Sequence, residues 1–96
     1  MSKVSVIVSG NIQNQQKVDQ YKNIAGSVMK KYQATLPPKS YQVGEVFAGS
    51  ASPSFMLEIE FPNSEKAAAA FNDPDYISAI NNRDEGFGDL SIFMVS

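Results

Sequence analysis

Apolar and polar residues alternate in several short segments of the chain, which predicts half-buried β-strands. In residues 3–9, Val4, Val6 and Val8 fall on one face, with Ser5 and Ser9 on the other. The same alternation runs from Phe55 to Phe61 and from Leu90 to Val95, and a further strand interrupted by Gly44 is predicted from Tyr41 to Ala48. The pattern therefore predicts four strands.

Apolar residues at three- and four-residue spacing predict helices between these strands. The first helix is expected to begin after an N-cap at Asn14 and to run to about Tyr32. A second, alanine-rich helix is expected to be capped by Ser64. Asp73 and Pro74 have the N-cap and first-position preferences of a short third helix.

The remaining segments are predicted to connect these elements. Residues 33–40 contain two prolines and form a linker, and residues 49–53 form a hairpin turn. The short helix is expected to present Ile77 and Ile80 inward, and residues 81–89 are predicted to form an irregular loop.

The predicted order is β-α-β-β-α-β, which is the ferredoxin-like arrangement of an α+β protein. It implies a four-stranded antiparallel sheet with the helices on one face. We expect one domain spanning residues 1–96.

The third strand indicates which sheet face the helices cover. Leu57, Ile59 and Phe61 point one way, whereas Glu58 and Glu60 point the other. Burying two unpaired carboxylates would be costly, so the glutamates are expected on the free face. That face would also hold apolar residues such as Phe93, which predicts a homodimer formed by packing two sheets together. On the second strand, the pattern leaves two alternatives open. The free face is lined either by Tyr41 and every second residue after it, or by the residues between them.

Composition excludes several classes of site. The 96 residues contain no cysteine and no histidine, so thiolate or imidazole metal sites, disulfides and a serine–histidine–aspartate triad are excluded. We expect no metal and no cofactor. Residues 1–40 carry six lysines and one acid, and residues 41–96 carry two basic and nine acidic residues. The lysines are scattered and only one arginine is present, so no nucleic-acid partner is predicted. No membrane span or signal peptide is apparent, which predicts a cytoplasmic location.

One part of the chain resembles a known family. The matching features are Glu60-Phe61-Pro62, the alanine-rich helix ending at Phe71, Pro74-Asp75-Tyr76, and Arg83. Together they resemble domain of unknown function family 1330, within the dimeric α+β barrel group. The resemblance implies a ferredoxin-like protomer and a sheet-to-sheet homodimer that encloses a cavity. It implies no established reaction or cofactor.

Four residues are candidates for a ligand site: Glu58, Glu60, Tyr76 and Arg83. Glu58 and Glu60, about 6.5 Å apart along one strand face, are also the candidate catalytic bases, because mutual repulsion and partial burial raise a carboxylate pKa. They could instead be solvated or paired with lysines. Arg83 could bind a ligand carboxylate or fix its own loop. Tyr76 could donate into a cavity or pack in the core.

Three functions follow from these alternatives. The main prediction is a small dimeric protein that binds a small molecule in a cavity on the free sheet face. The others are a cofactor-free enzyme, monooxygenase- or isomerase-like, with a glutamate transferring protons, and a purely structural interaction dimer.

Overall fold

The computed structural model describes residues 3–96. Within these residues it has four strands and four helices, with one helix between the first two strands and three helices between the last two. In chain order they are β1 (Val4–Ile12), α1 (Gln15–Lys31), β2 (Lys39–Gln42), β3 (Phe55–Phe61), α2 (Ser64–Asn72), α3 (Pro74–Ser78), α4 (Ile80–Gly86) and β4 (Phe87–Val95). No helix within residues 3–96 is long and apolar enough to cross a membrane.

The strands form one antiparallel sheet in the order β2-β3-β1-β4, which confirms the ferredoxin-like prediction. Residues paired directly across antiparallel strands share a face. Val6 pairs with Ile59 and with Met94, and these residues face the helices. Ile7 pairs with Glu58 and with Phe93, so both the glutamate and the phenylalanine lie on the opposite, free face.

The second strand is shorter than predicted. It spans only Lys39–Gln42, and residues 43–54 form an irregular connection in place of the predicted strand end and short turn. Its register settles the question that the sequence left open, because Tyr41 pairs with Met56 and therefore lies on the free face. Phe47, placed in the strand by the sequence pattern, lies in this connection and is 90% exposed.

The C-terminal third also differs from the prediction. The predicted irregular loop instead forms α4 and the start of β4, which begins at Phe87 rather than Leu90. Ile77 points outward and is 51% exposed, because Tyr76 occupies the inward position of α3. The N-cap of α2 is Asn63 rather than Ser64, since the Asn63 side chain accepts a hydrogen bond from the Lys66 amide at 2.8 Å.

Gly86 permits the close approach of α4 to the start of α1. A β-carbon at position 86 would lie 2.9 Å from Val18 atoms, closer than such contacts occur. The Gly86 carbonyl also accepts hydrogen bonds from the amides of Gln13 and Asn14. The glycine therefore joins the α4 end to the β1–α1 turn.

One buried carboxylate joins the end of α1 to the α2–α3 junction. Asp73 is 4% exposed and caps α3 by accepting from the Asp75 amide at 2.8 Å. It also accepts from Lys31 Nζ at 2.9 Å and from the Tyr32 hydroxyl at 2.7 Å. These hydrogen bonds, that of Lys31 foremost, lower the pKa of Asp73 from 3.8 to about 2.

We predict that Asp73→Asn destabilises the fold and flattens its acid dependence. Asparagine still caps α3, but it removes the charge that Lys31 and Tyr32 contact. Because the folded-state pKa of Asp73 is depressed, its ionised form stabilises the fold above about pH 4, and that contribution is lost as the pH falls toward about 2. Urea unfolding between pH 2 and 7 measures both effects.

Asp19→Asn is the matched control, because Asp19 is an exposed carboxylate on α1. Surface substitutions of this kind usually change stability by less than about 0.5 kcal/mol. Equal midpoints for the two variants across the whole pH range would contradict the assigned role of Asp73.

Candidate functional site

The two glutamates lie together on the free face, where both already have partners in the protomer. Glu58 accepts a hydrogen bond from the Ser5 hydroxyl at 2.9 Å. Glu60 lies 3.5 Å from Lys3 Nζ, in a pair whose side chains are both substantially exposed. With Lys39 they line a surface recess of about 80 Å³. Such a recess holds little more than water within one protomer.

Tyr76 and Arg83 lie on the helix side of the sheet, away from the glutamates. Tyr76 is 1% exposed, and its hydroxyl accepts a hydrogen bond from Arg83 Nη1 at 3.1 Å. The Tyr76 and Tyr21 hydroxyl oxygens are 3.0 Å apart. Arg83 also donates from Nε to Asp84 at 3.1 Å. The four predicted site residues thus divide between the two sides of the sheet and do not form one site.

A cavity of about 400 Å³ lies between α1 and the β3 half of the sheet, and we call it the helix-side cavity. Its walls are mainly apolar, and the linker after α1 borders it. Its lining includes Tyr21, Ala25, Gly26, Met29, Leu57 and Ile59. A cavity of this size and character falls in the range of pockets that bind small molecules.

Gly26 keeps the α1 wall of this cavity open. It lies in the interior of a 17-residue helix, where glycine is less favourable than alanine by about 1 kcal/mol. A β-carbon at this position would meet no atom within 4 Å, so close packing does not require the glycine. The residue leaves space in the wall that a larger side chain would fill.

A second cavity of about 390 Å³, the α2–β4 cavity, lies on the other side of the central aromatic residues. Tyr76, Arg83 and Phe71 line it, and Phe71 also lines the helix-side cavity. The Phe71 and Tyr76 rings pack edge to face, with centroids 4.9 Å apart. An aromatic wall therefore separates the two cavities, and the hydrogen-bonded Tyr21, Tyr76 and Arg83 lie along it.

The electrostatics of this wall favour hydrogen bonding over acid–base chemistry. Burial, reinforced by the neighbouring Tyr76, raises the pKa of the Tyr21 phenol well above its ordinary value. The hydroxyl of Tyr21 is therefore protonated at neutral pH and can donate. Within residues 3–96 no group of three potential carboxylate, histidine or cysteine ligands comes together to hold a metal ion.

Tyr21 and Gly26 are the site residues that sequence analysis did not identify. Tyr21 falls on the apolar stripe of α1, a position that the pattern predicts to be in the core, and the stripe itself gives no sign of a cavity beside it. Two signals were nevertheless present: a phenol in that stripe needs a hydrogen-bond partner, and a glycine occupies the helix interior.

Comparison with protein families gives a match over nearly the whole chain. The model of the domain of unknown function DUF1330 matches residues 3–95. The chain belongs to this family. The family is defined without a function, and no curated protein matches the chain.

Solved structures share the fold of this DUF1330 protein at low sequence identity. A protein of unknown function from Rhodopseudomonas palustris has a TM-score of 0.81 and 12% identity, covering 97% of this chain and 80% of its own. A dimeric ferredoxin-like protein of unknown function from Jannaschia sp. has a TM-score of 0.74 and 7% identity, covering 99% of each chain. A DABB family protein with a ferredoxin-like fold from Mesorhizobium loti has a TM-score of 0.72 and 10% identity, covering 100% of this chain and 97% of its own.

We predict that Gly26→Ala stabilises the DUF1330 protein by about 0.5–1 kcal/mol, because alanine lowers the cost of helix formation and its methyl group meets open space. Urea denaturation measures this difference. Gly86→Ala provides the contrast, since its methyl group would clash with Val18 and should destabilise the fold. Destabilisation by Gly26→Ala would mean that position 26 is already packed.

Proposed function

We propose that this protein is a homodimer that binds a small, mainly apolar molecule in the helix-side cavity of each protomer. The observation that carries the binding proposal is the apolar volume of about 400 Å³ beside an interior-helix glycine. The cavity opens to solvent beside the linker that contains Pro37 and Pro38, so a small molecule could reach it. Covering its mainly apolar walls would remove apolar surface from water, which favours an apolar occupant.

The free face of the sheet supports the dimer proposal. Its central apolar residues include Ile7 and Met56, and its edge carries Phe93, which is 50% exposed. Exposed apolar surface of this kind usually marks an interface. The same face carries both Lys39 and the acidic Glu58, so a second copy related by two-fold symmetry would offer opposite charges to each. The Jannaschia protein with this fold is described as dimeric.

A dimer of this kind would also change the surroundings of the two glutamates. The recess beside Glu58 and Glu60 would lie at the edge of the interface, and a partner sheet would enclose it further. A ligand site there, and proton transfer by either glutamate, stay predictions. The hydrogen bond from Ser5 and the ion pair with Lys3 favour the structural alternative for both carboxylates.

We predict that Phe93→Lys shifts the protein toward monomers. Placing a lysine within a sheet-to-sheet contact, repeated by symmetry, opposes association. Light scattering coupled to size-exclusion chromatography at micromolar concentration measures the change in mass. Ile77→Lys is the control, because Ile77 is 51% exposed on the helix side and lies outside the proposed interface. A monomeric wild-type protein, or equal dissociation of both variants, would contradict the proposed interface.

We predict that Gly26→Leu weakens binding of an apolar probe, because the leucine side chain occupies part of the helix-side cavity. N-phenyl-1-naphthylamine is a suitable neutral probe, and its fluorescence enhancement measures binding. Gly26→Ala is the matched control, since it removes the glycine but adds only one methyl group, and it should retain most of the affinity. Equal fluorescence from wild type and Gly26→Leu would place the probe elsewhere and count against the proposed site.

A further inference from the structure

The hydrogen-bonded group of Tyr21, Tyr76 and Arg83 contains one more donor than it uses internally. Arg83 can only donate, so the Tyr76 oxygen accepts that bond. The bond between the two phenols uses one of their two hydroxyl hydrogens. The other hydrogen has no acceptor among residues 3–96. One phenol of this group is therefore available to donate to a bound molecule.

Burial favours one direction for the bond between the phenols. If Tyr21 donated to Tyr76, the remaining hydrogen would belong to Tyr76, which is 1% exposed. A buried donor without an acceptor is costly. If Tyr76 donates to Tyr21, both hydrogen-bonding roles of Tyr76 are satisfied, and the remaining hydrogen belongs to Tyr21. Tyr21 is only partly buried and lines the helix-side cavity.

We propose that the helix-side cavity takes a molecule bearing a neutral carbonyl oxygen, and that the Tyr21 hydroxyl donates a hydrogen bond to it. This inference rests on the proposed function, and it adds the chemical class of the ligand. The donors run in one direction, from Arg83 to Tyr76 to Tyr21 and then to the ligand. Successive hydrogen bonds polarise one another, so a chain that begins at a guanidinium strengthens its terminal donor.

The surroundings of Tyr21 explain why the acceptor is neutral. The cavity is lined mainly by aliphatic and aromatic side chains, in which an ionised group would be poorly solvated. Lys22 is the one charged residue of the lining and it is exposed, which places its charge toward solvent. Tyr21 itself stays protonated, because burial raises its pKa. A ketone, aldehyde or ester fits an apolar cavity with a single hydroxyl donor.

Two probes of nearly identical shape test this assignment. Acetophenone carries a carbonyl oxygen where α-methylstyrene carries a methylene group, so only acetophenone can accept a hydrogen bond. The variant is Tyr21→Phe, which keeps the ring and removes the donor. Tyr41→Phe is the control, because Tyr41 lies on the free face. Ligand-observed NMR titration gives the dissociation constant of each probe for the wild-type protein and for each variant.

We expect Tyr21→Phe to weaken acetophenone binding about fivefold, which is the size of one net hydrogen bond, and to leave α-methylstyrene affinity unchanged. A second measurement needs only the wild-type protein. The carbonyl ¹³C resonance of bound acetophenone should lie downfield of its position in an apolar solvent. Equal effects on both probes, or an unshifted carbonyl resonance, would overturn the donor assignment. Loss of acetophenone selectivity in Tyr76→Phe, but not in Tyr21→Phe, would overturn the proposed direction of the chain.

The hydrocarbon probe separates this inference from the proposed function. If α-methylstyrene binds the wild-type protein and Gly26→Leu weakens that binding, the cavity is a binding site whatever Tyr21 does. If α-methylstyrene binds and acetophenone shows no dependence on Tyr21, the carbonyl proposal fails alone. If neither probe binds, the cavity proposal fails and the carbonyl proposal fails with it.

Discussion

The opposite solvation needs of the two faces of β3 organise the whole protomer. Leu57, Ile59 and Phe61 need to leave water, whereas Glu58 and Glu60 need water or partners. With side chains alternating along the strand, the helices can cover only the apolar face. The register then extends this choice to the neighbouring strands, where Ile7 and Phe93 are placed on the face that the helices leave open. The free face is thus a consequence of how the core forms.

Two hydrogen-bonded groups lie inside the helix layer. One joins helices to each other, and the other lies beside a cavity. In the first group, Asp73 accepts three hydrogen bonds and so joins the end of α1 to the α2–α3 junction. In the middle, Tyr21 and Tyr76 are kept in an aromatic wall by hydrogen bonds that reach Arg83. Buried polar groups are tolerated only when partnered. The hydrogen bonds of Asp73 are all made within the protein. The group of Tyr21, Tyr76 and Arg83 keeps one hydroxyl donor beside the helix-side cavity.

The fold was predictable because it depends on local patterns. Period-two strands, the Asn14 cap and the Asp73-Pro74 helix start each act over a few residues, and the structure has all of them. The errors came where local signals compete. Residues 43–48 have strand-like alternation but pair with no strand, and residues 80–86 look like a polar loop but form a helix, because Gly86 packs it against Val18. Helix packing outweighed local preference in residues 80–86, whereas in residues 43–48 the alternation has no partner strand to pair with.

The sequence by itself determined the fold class, the sheet faces and the absence of thiol and imidazole chemistry, since composition and side-chain alternation are properties of the chain alone. It also identified Arg83 and Tyr76 as residues of interest. Only the tertiary structure decided that they lie on the opposite side of the sheet from Glu58 and Glu60, and that they connect to Tyr21. The reason is physical: a cavity is a volume left between elements, and its lining depends on distances between residues far apart in the chain.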